Sequence, residues 1–292
     1  MDNSVYGTTI TAMIIDENQE QYFVQKNGVT YALDKNKNEN NQLKIGDMVQ
    51  GFVYESSTKK RRMTTCIPKV QQGKYGWGTV TQVRKDLGVF VDIGLPDKEI
   101  VVSLDDLPQI TSLWPKKEDK LLLSLKVDKK ERIWGELASE KIFRTIAKKG
   151  KESSHNQDVE GIAFRLKLVG TYILTSDYHI GFIHPSERVD EPRLGERVKG
   201  RVIGVRPDGV LNISLRQRAH EAIDDDSQMI MALLEQSTTY SLPYSDKSQP
   251  DEIKQYFGIS KGQFKRAIGR LLKEKKIEQK KGSIYLIQHD VK

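Results

Sequence analysis

The chain has 292 residues, 37% hydrophobic and 30% charged, with a net charge of +7 and a single cysteine, Cys66. That length suits two to four domains rather than one small core. No run of about 18 apolar residues offers a membrane span, and one thiol supports neither a disulfide framework nor a cysteine zinc site. The segment MDNSVYGTTITAM has no basic start ahead of an apolar stretch, so it does not read as a signal peptide. A reducing cytoplasm is expected, with no membrane partner and no cofactor.

The first 218 residues read as all-β, with short alternating runs separated by turns. Clear turns are Asn27-Gly28, Arg84-Lys85-Asp86-Leu87-Gly88, Gly94-Leu95-Pro96-Asp97 and Arg206-Pro207-Asp208-Gly209. An internal repeat runs through them. Gly46-Asp47-Met48-Val49-Gln50-Gly51 resembles Gly195-Glu196-Arg197-Val198-Lys199-Gly200, with a weaker copy at Glu118-Asp119-Lys120-Leu121. Each copy opens on a turn and an acid and runs on as a strand. Five strands in roughly seventy residues is the size of a Greek-key OB barrel. The expected class is mainly β: three tandem five-stranded barrels at 1–66, 67–146 and 147–218, then an α+β winged helix-turn-helix at 219–292. Ile67-Pro68-Lys69 is short, so the first two barrels should touch. Ala138 to Lys149 reads as a helix and Gly150 to Gln157 as a polar linker, leaving the third barrel free to move.

After Leu215 the apolar period changes. Ser227 to Glu235 has helical spacing, with Asp224-Asp225-Asp226 expected as acids ahead of its N-terminus. Pro250 to Phe257 is a short helix stopped by Gly258. Ser260 and Gln263 form a capping box for a helix to about Lys275, carrying Phe264, Ala267, Ile268, Leu271 and Leu272 on one face. A strand, a basic turn and a second strand follow. Residues 261–281 hold Lys261, Lys265, Arg266, Arg270, Lys273, Lys275, Lys276, Lys280 and Lys281 against only Glu274 and Glu278, which is the whole net charge of the chain. Such a patch is either a solvated helix face or the footprint of a polyanion.

No catalytic constellation assembles: the histidines are scattered, no phosphate loop occurs, and Gly76-Trp77-Gly78 lacks the third glycine of a dinucleotide turn. Single-stranded nucleic acid is held by aromatic rings, cations and a few polar groups on the second and third strands of an OB barrel. The second barrel offers Trp77, Arg84, Lys85, Phe90, Asp128 and Arg132 at such places, and the third Arg165, Lys167, Tyr172, His184 and Arg206. Each has a plainer reading. Phe90 alternates with Val89, Val91 and Ile93, and one set faces inward; Asp128 could simply initiate the turn to Arg132. Trp77, between two glycines, is expected at the surface. His184 ends a strand at Pro185 and could be a ligand, a base, a satisfied structural residue or part of a binding face.

Gly181-Phe182-Ile183-His184-Pro185-Ser186-Glu187, with Gly195-Glu196 and Asn212-Ile213-Ser214-Leu215, resembles the signature of S1-type RNA-binding domains. That resemblance places His184 and Tyr172 on an RNA face, with Val169 at the first aromatic position and Arg206 and Val210 where the family has Asp and Arg. In the second barrel it matches Phe90, Asp128 and Arg132, with Leu87 at the first aromatic position and Val102 at the histidine; it carries no residue onto the first barrel. Three such barrels and a C-terminal winged helix resemble the conserved virulence factor B family. This implies a non-catalytic protein that binds single-stranded RNA and acts on gene expression after transcription, virulence genes in pathogens included. A transcription regulator whose winged helix reads duplex DNA stays open as the alternative.

Overall fold

The computed structural model describes residues 5–35, 43–217 and 219–287. It divides into two compact units, 1–215 and 216–292.

Three closed barrels fill the first unit. Barrel 1 consists of β1 (Thr8–Glu17), β2 (Gln21–Lys26), β3 (Val29–Asp34), β4 (Met48–Glu55) and β5 (Arg61–Thr64). Barrel 2 consists of β6 (Gly76–Arg84), β7 (Gly88–Asp92), β8 (Ile100–Ser103), β9 (Lys120–Val127) and β10 (Ile133–Leu137). Helix α1 (Glu140–Ile146) follows. Barrel 3 consists of β11 (Asp158–Lys167), β12 (Gly170–Thr175), β13 (Ile180–Ile183), β14 (Arg197–Val205) and β15 (Leu211–Ser214). In each barrel the third strand pairs parallel with the fifth, and every other pairing is antiparallel. The first strand of each is bulged at the same place, by Ile15, Thr81 and Phe164. A bulge bends a strand, so one long strand can serve two sides of a small barrel.

The internal repeat has a physical cause. Gly46, Glu118 and Gly195 all adopt positive φ, and their N–H groups donate to Ile14, Val80 and Ala163 carbonyls. The acid that follows accepts the backbone N–H three residues back in all three copies: Asp47 from Lys44, Asp119 from Lys116 and Glu196 from Arg193. Each copy is the hinge that feeds the fourth strand into its barrel. Glu118 takes the left-handed conformation at the position where the other two copies use glycine.

Barrels 1 and 2 share one apolar core, as the short junction predicts. The polar segment before barrel 3 is not a free linker. Gly150 donates to the Gly209 carbonyl, Asn156 to Val202, and Val202 back to Gln157. Barrels 2 and 3 are joined by a second apolar cluster of Leu122, Phe143, Leu174, Ile180, Phe182 and Val210. Helix α1 is shorter than its sequence suggests, because Ala147 and Lys148 turn extended and Lys148 bridges to His179 of barrel 3.

The second unit holds α2 (Ala219–Gln236), β16 (Ser241–Leu242), α3 (Pro250–Phe257), α4 (Lys261–Lys273), β17 (Ile277–Lys280) and β18 (Ser283–Leu286), with sheet order β16-β18-β17. It is a winged helix. Helix α3 is stopped by Gly258 in the left-handed region, and α4 opens on the Ser260–Gln263 capping box. The wing turns through Lys281 and Gly282, both at positive φ, between the paired residues Lys280 and Ser283; that geometry matches strand twist in a two-residue hairpin. Asp225 and Asp226 are not ahead of a helix: α2 begins at Ala219, so the acidic run lies within it.

Candidate nucleic-acid interface

Strand register brings equivalent residues of the three barrels into line. The residue opposite the bulge on the second strand is aromatic in every barrel: Phe23, Phe90 and Tyr172. All three are half-buried, while their neighbours Tyr22, Val24, Val89, Val91, Thr171 and Ile173 point inward and are buried. Across the third and fifth strands the same row continues as Ala32 and Arg62 in barrel 1, Val101 and Trp134 in barrel 2, and Phe182 and Asn212 in barrel 3. Phe90 therefore faces outward, and the inward set is Val89 and Val91.

Barrel 2 carries the more open aromatic platform. Trp134 stands one strand from Val101, which separates it from Phe90. The Arg132 guanidinium lies 5.4 Å from the Trp134 ring centre, a cation–π distance. Asp128 organises this corner. It accepts from Arg132 Nε at 2.7 Å, Trp134 Nε1 at 3.1 Å and the backbone N–H groups of Lys130 at 2.8 Å and Arg132 at 3.0 Å. The side-chain bond from Arg132, with those other donors, holds its carboxyl well below the usual carboxylate range. Asp128 thus initiates the turn and also aims Arg132 and Trp134. Arg84 is tied to Asp86 in the exposed β6–β7 hairpin, beside exposed Lys85.

Trp77 lies at a seam. It does point away from the interior of barrel 2, because the inward positions on either side are Gly78, where a Cβ would come within 2.4 Å of Val91, and Gly76. However, α1 and barrel 3 cover that outer face. Trp77 packs edge-on to Phe143, which stacks on Phe164 at 3.8 Å between ring centres. It is a half-buried seam residue, part of whose surface lines a small pocket with Leu174, Tyr178 and Arg197.

In barrel 3 the row is partly covered. Tyr172 meets Phe182 edge-on at 5.1 Å, and Phe182 is buried, with the Arg206 guanidinium 4.1 Å from its ring centre. Arg206 Nε also donates to Asn212 Oδ1 at 2.8 Å. Lys167 lies 5.1 Å from the Tyr172 ring centre and pairs with Glu140 of α1. Arg165 is exposed and sits opposite Tyr172. His184 is exposed and caps a short 3-10 turn: its Nδ1 accepts the Ser186 N–H and lies 2.7 Å from the Ser186 hydroxyl.

The register also corrects one alignment. Val102 pairs with Val89 and is fully buried, which makes it the counterpart of Ile183. The counterpart of His184 in barrel 2 is Ser103, whose hydroxyl caps the following 3-10 turn in the same way. Asp128 and Arg132 do correspond to Arg206 and Val210, since each pair closes the hairpin between fourth and fifth strands. The extra residue in β14 is taken up by a bulge between Val202 and Gly204.

Phe23, Trp134, Phe182 and Asn212 were missing from the sequence-derived set. Alternation could have found Trp134 and Phe182, since each follows an inward residue, Ile133 or Gly181.

On α4 the exposed face carries Gly262, Lys265, Arg266, Gly269, Leu272 and Lys273. Lys261 is half-buried. Arg270 and Lys276 pair with Glu274, and Lys280 pairs with Glu278. Arg266 lies near Asp226, whose carboxyl burial pushes up and Arg266 pulls back. Lys261, Lys265, Lys273, Lys275 and Lys281 make no ion pair among the described residues, so five cations are left to meet an anion.

Comparison with known proteins fits this division. An S1 domain model matches residues 6–66, the first S1-like domain of CvfB 75–136, the second domain of the virulence regulatory factor CvfB 143–217, and a CvfB-like winged helix domain 228–286. The conserved virulence factor B of Staphylococcus epidermidis (strain ATCC 12228) is 36% identical over 98% of this chain and 96% of its own length. The protein of the same name from Staphylococcus aureus (strain N315) is 35% identical over 98% and 95%. A crystal structure of a multidomain protein with nucleic acid binding domains from Streptococcus pneumoniae TIGR4 is 50% identical, with a TM-score of 0.71 over 98% of this chain and 99% of that one.

Proposed function

The chain belongs to the conserved virulence factor B family, and from that footing we propose that it is a non-catalytic, cytoplasmic protein that holds single-stranded RNA. It acts on gene expression after transcription, virulence genes included where the host is a pathogen. The observation that carries this reading is the aromatic residue at one register position in all three barrels, flanked in barrel 2 by Trp134 and Arg132. Bases splayed from a single strand stack on such rings, and a guanidinium beside them meets the phosphates. The winged helix contributes charge more than readout. Gln263 is the one amide on α4, and its Oε1 is engaged by Ser260. That leaves little for bidentate recognition of base edges in a duplex.

Fluorescence anisotropy of the full chain at two salt concentrations, against single-stranded RNA and duplex DNA, tests the reading. Tighter binding to RNA, weakened by Trp134→Ala, is expected. Binding to duplex DNA alone, lost with Lys265, Arg266 and Lys273 but not with Trp134, would make this a DNA regulator.

A further inference from the structure

The outward rows of barrels 2 and 3 end at the same place. In barrel 2 the row runs Phe90, Val101, Trp134, Lys126 across β7, β8, β10 and β9. In barrel 3 it runs Arg165, Tyr172, Phe182, Asn212 across β11, β12, β13 and β15. Lys126, the last of one, and Arg165, the first of the other, line one cleft of about 410 Å³, together with Pro108 and Glu136. We propose that the two barrels form one continuous track, and that a single RNA strand crosses this cleft from the Phe90–Trp134 platform to the Tyr172 platform. The proposal rests on the reading of each barrel face given above.

Two cations, Lys126 and Arg165, and three carboxylates line the cleft; Asp106 is paired with Lys126 and Glu140 with Arg144 and Lys167, which leaves Glu136 as the acid without an ion pair among the described residues. Arg165 is exposed and has no ion pair among the described residues. Lys126 is held only by an exposed contact with Asp106 at 3.2 Å, and exposed pairs of this kind yield readily to another anion. Glu136 is exposed and receives one long contact, from the Ser124 hydroxyl at 3.4 Å. It repels phosphate but can accept from a ribose 2′-hydroxyl or an exocyclic amine. The crossing strand therefore turns its phosphates toward Arg165 and Lys126 and its sugar or base edges toward Glu136.

The two rows are also held in fixed relation. Lys120 N–H donates to the Gly195 carbonyl, Leu194 N–H donates to Leu113, and Arg193 grips Asp119. Platforms already aligned by the fold need no ordering when the strand arrives. A strand long enough to reach both makes its second contact intramolecularly, which raises affinity without any new interaction. By strand spacing each row spans roughly 14 Å, so a short oligonucleotide fills one row and a longer one fills both.

The test is a length series of oligouridylates from 4 to 20 nucleotides, by anisotropy on the full-length protein, with Trp134→Ala, Tyr172→Ala, both together, and Arg165→Glu. Affinity should step up by about tenfold or more at one length. Each single alanine variant should remove the step, so that long oligomers bind no more tightly than the short ones held by the remaining platform. Arg165→Glu should lower long-oligomer affinity by a larger factor than short-oligomer affinity, and its exposed position leaves folding intact by circular dichroism. Short-oligomer binding without a step, or independent losses from the two alanine substitutions at every length, would overturn the track while leaving the separate platforms standing. No binding of RNA at any length would overturn the platform reading and the track together.

Discussion

Arg193 of barrel 3 grips Asp119 of barrel 2 in a two-pronged ion pair, Nε to Oδ2 at 2.7 Å and Nη2 to Oδ1 at 2.9 Å. Asp119 is the acid of the internal repeat and already receives the Lys116 N–H at 2.7 Å. One carboxylate thus serves the hinge of its own barrel and the docking of the next. Its side chain is only 7% exposed, so the partner matters. Removing the guanidinium strands a buried charge, which costs about 3 kcal/mol or more. Arg193→Ala should lower the melting temperature of the barrel unit by roughly 6–12 °C. Arg193→Lys keeps the charge but loses the fork and should fall between. A shift under about 2 °C by calorimetry would show that apolar contacts alone hold the seam.

The two tryptophans of barrel 2 should respond in opposite ways. Trp134→Ala should weaken single-stranded RNA binding by about 1–3 kcal/mol, the usual worth of one base–aromatic stack, with little loss of stability. Trp77→Ala opens a cavity against Phe143 and should lower stability by about 2–3 kcal/mol while leaving RNA affinity within about twofold. Paired binding and urea-unfolding measurements decide it, and similar profiles for the two variants would erase the distinction drawn between seam and platform.

Acid should reveal Asp128. Its carboxyl is held below its ordinary value of 3.8, chiefly by Arg132. A group whose folded value is depressed stabilises fully above its unfolded value and loses that contribution as pH falls through the folded one. The difference in urea midpoint between wild type and Asp128→Asn should therefore be constant from about pH 8 to 5 and shrink below about pH 4. A difference that grew on acidification would contradict the hydrogen-bonded arrangement.

Lys273 and Lys275 have no ion pair among the described residues, whereas Lys276 is already held by Glu274 at 2.9 Å. Replacing all three with alanine should weaken RNA binding uniformly across sequences. The slope of log affinity against log salt should flatten by roughly 1.4 if the two unpaired lysines each meet a phosphate and Lys276 does not. An unchanged slope would remove the phosphate role of this end of α4.

Much of the molecule is legible in its local chemistry. The Ser260–Gln263 capping box, Pro250 and Gly258 bounding α3, the Asn27-Gly28 turn and the repeated glycine–acid hinges specify their elements through contacts only a few residues long. Strand alternation likewise separates inward Val89 and Val91 from outward Phe90 once the barrel interior is identified. These signals sufficed for three five-stranded barrels and a winged helix.

What alternation cannot say is whether an outward face meets water or another part of the chain. Trp77 and Trp134 are both outward, half-buried residues of one barrel, and only docking of α1 and barrel 3 makes the first a seam residue. The same docking decides that Asp119 finds Arg193, 74 positions away, and that the rows ending at Lys126 and Arg165 meet at one cleft. Residues paired within a turn or along a strand are set by local geometry. Residues brought together by packing depend on the shape of whole surfaces, and no short stretch of sequence carries that shape.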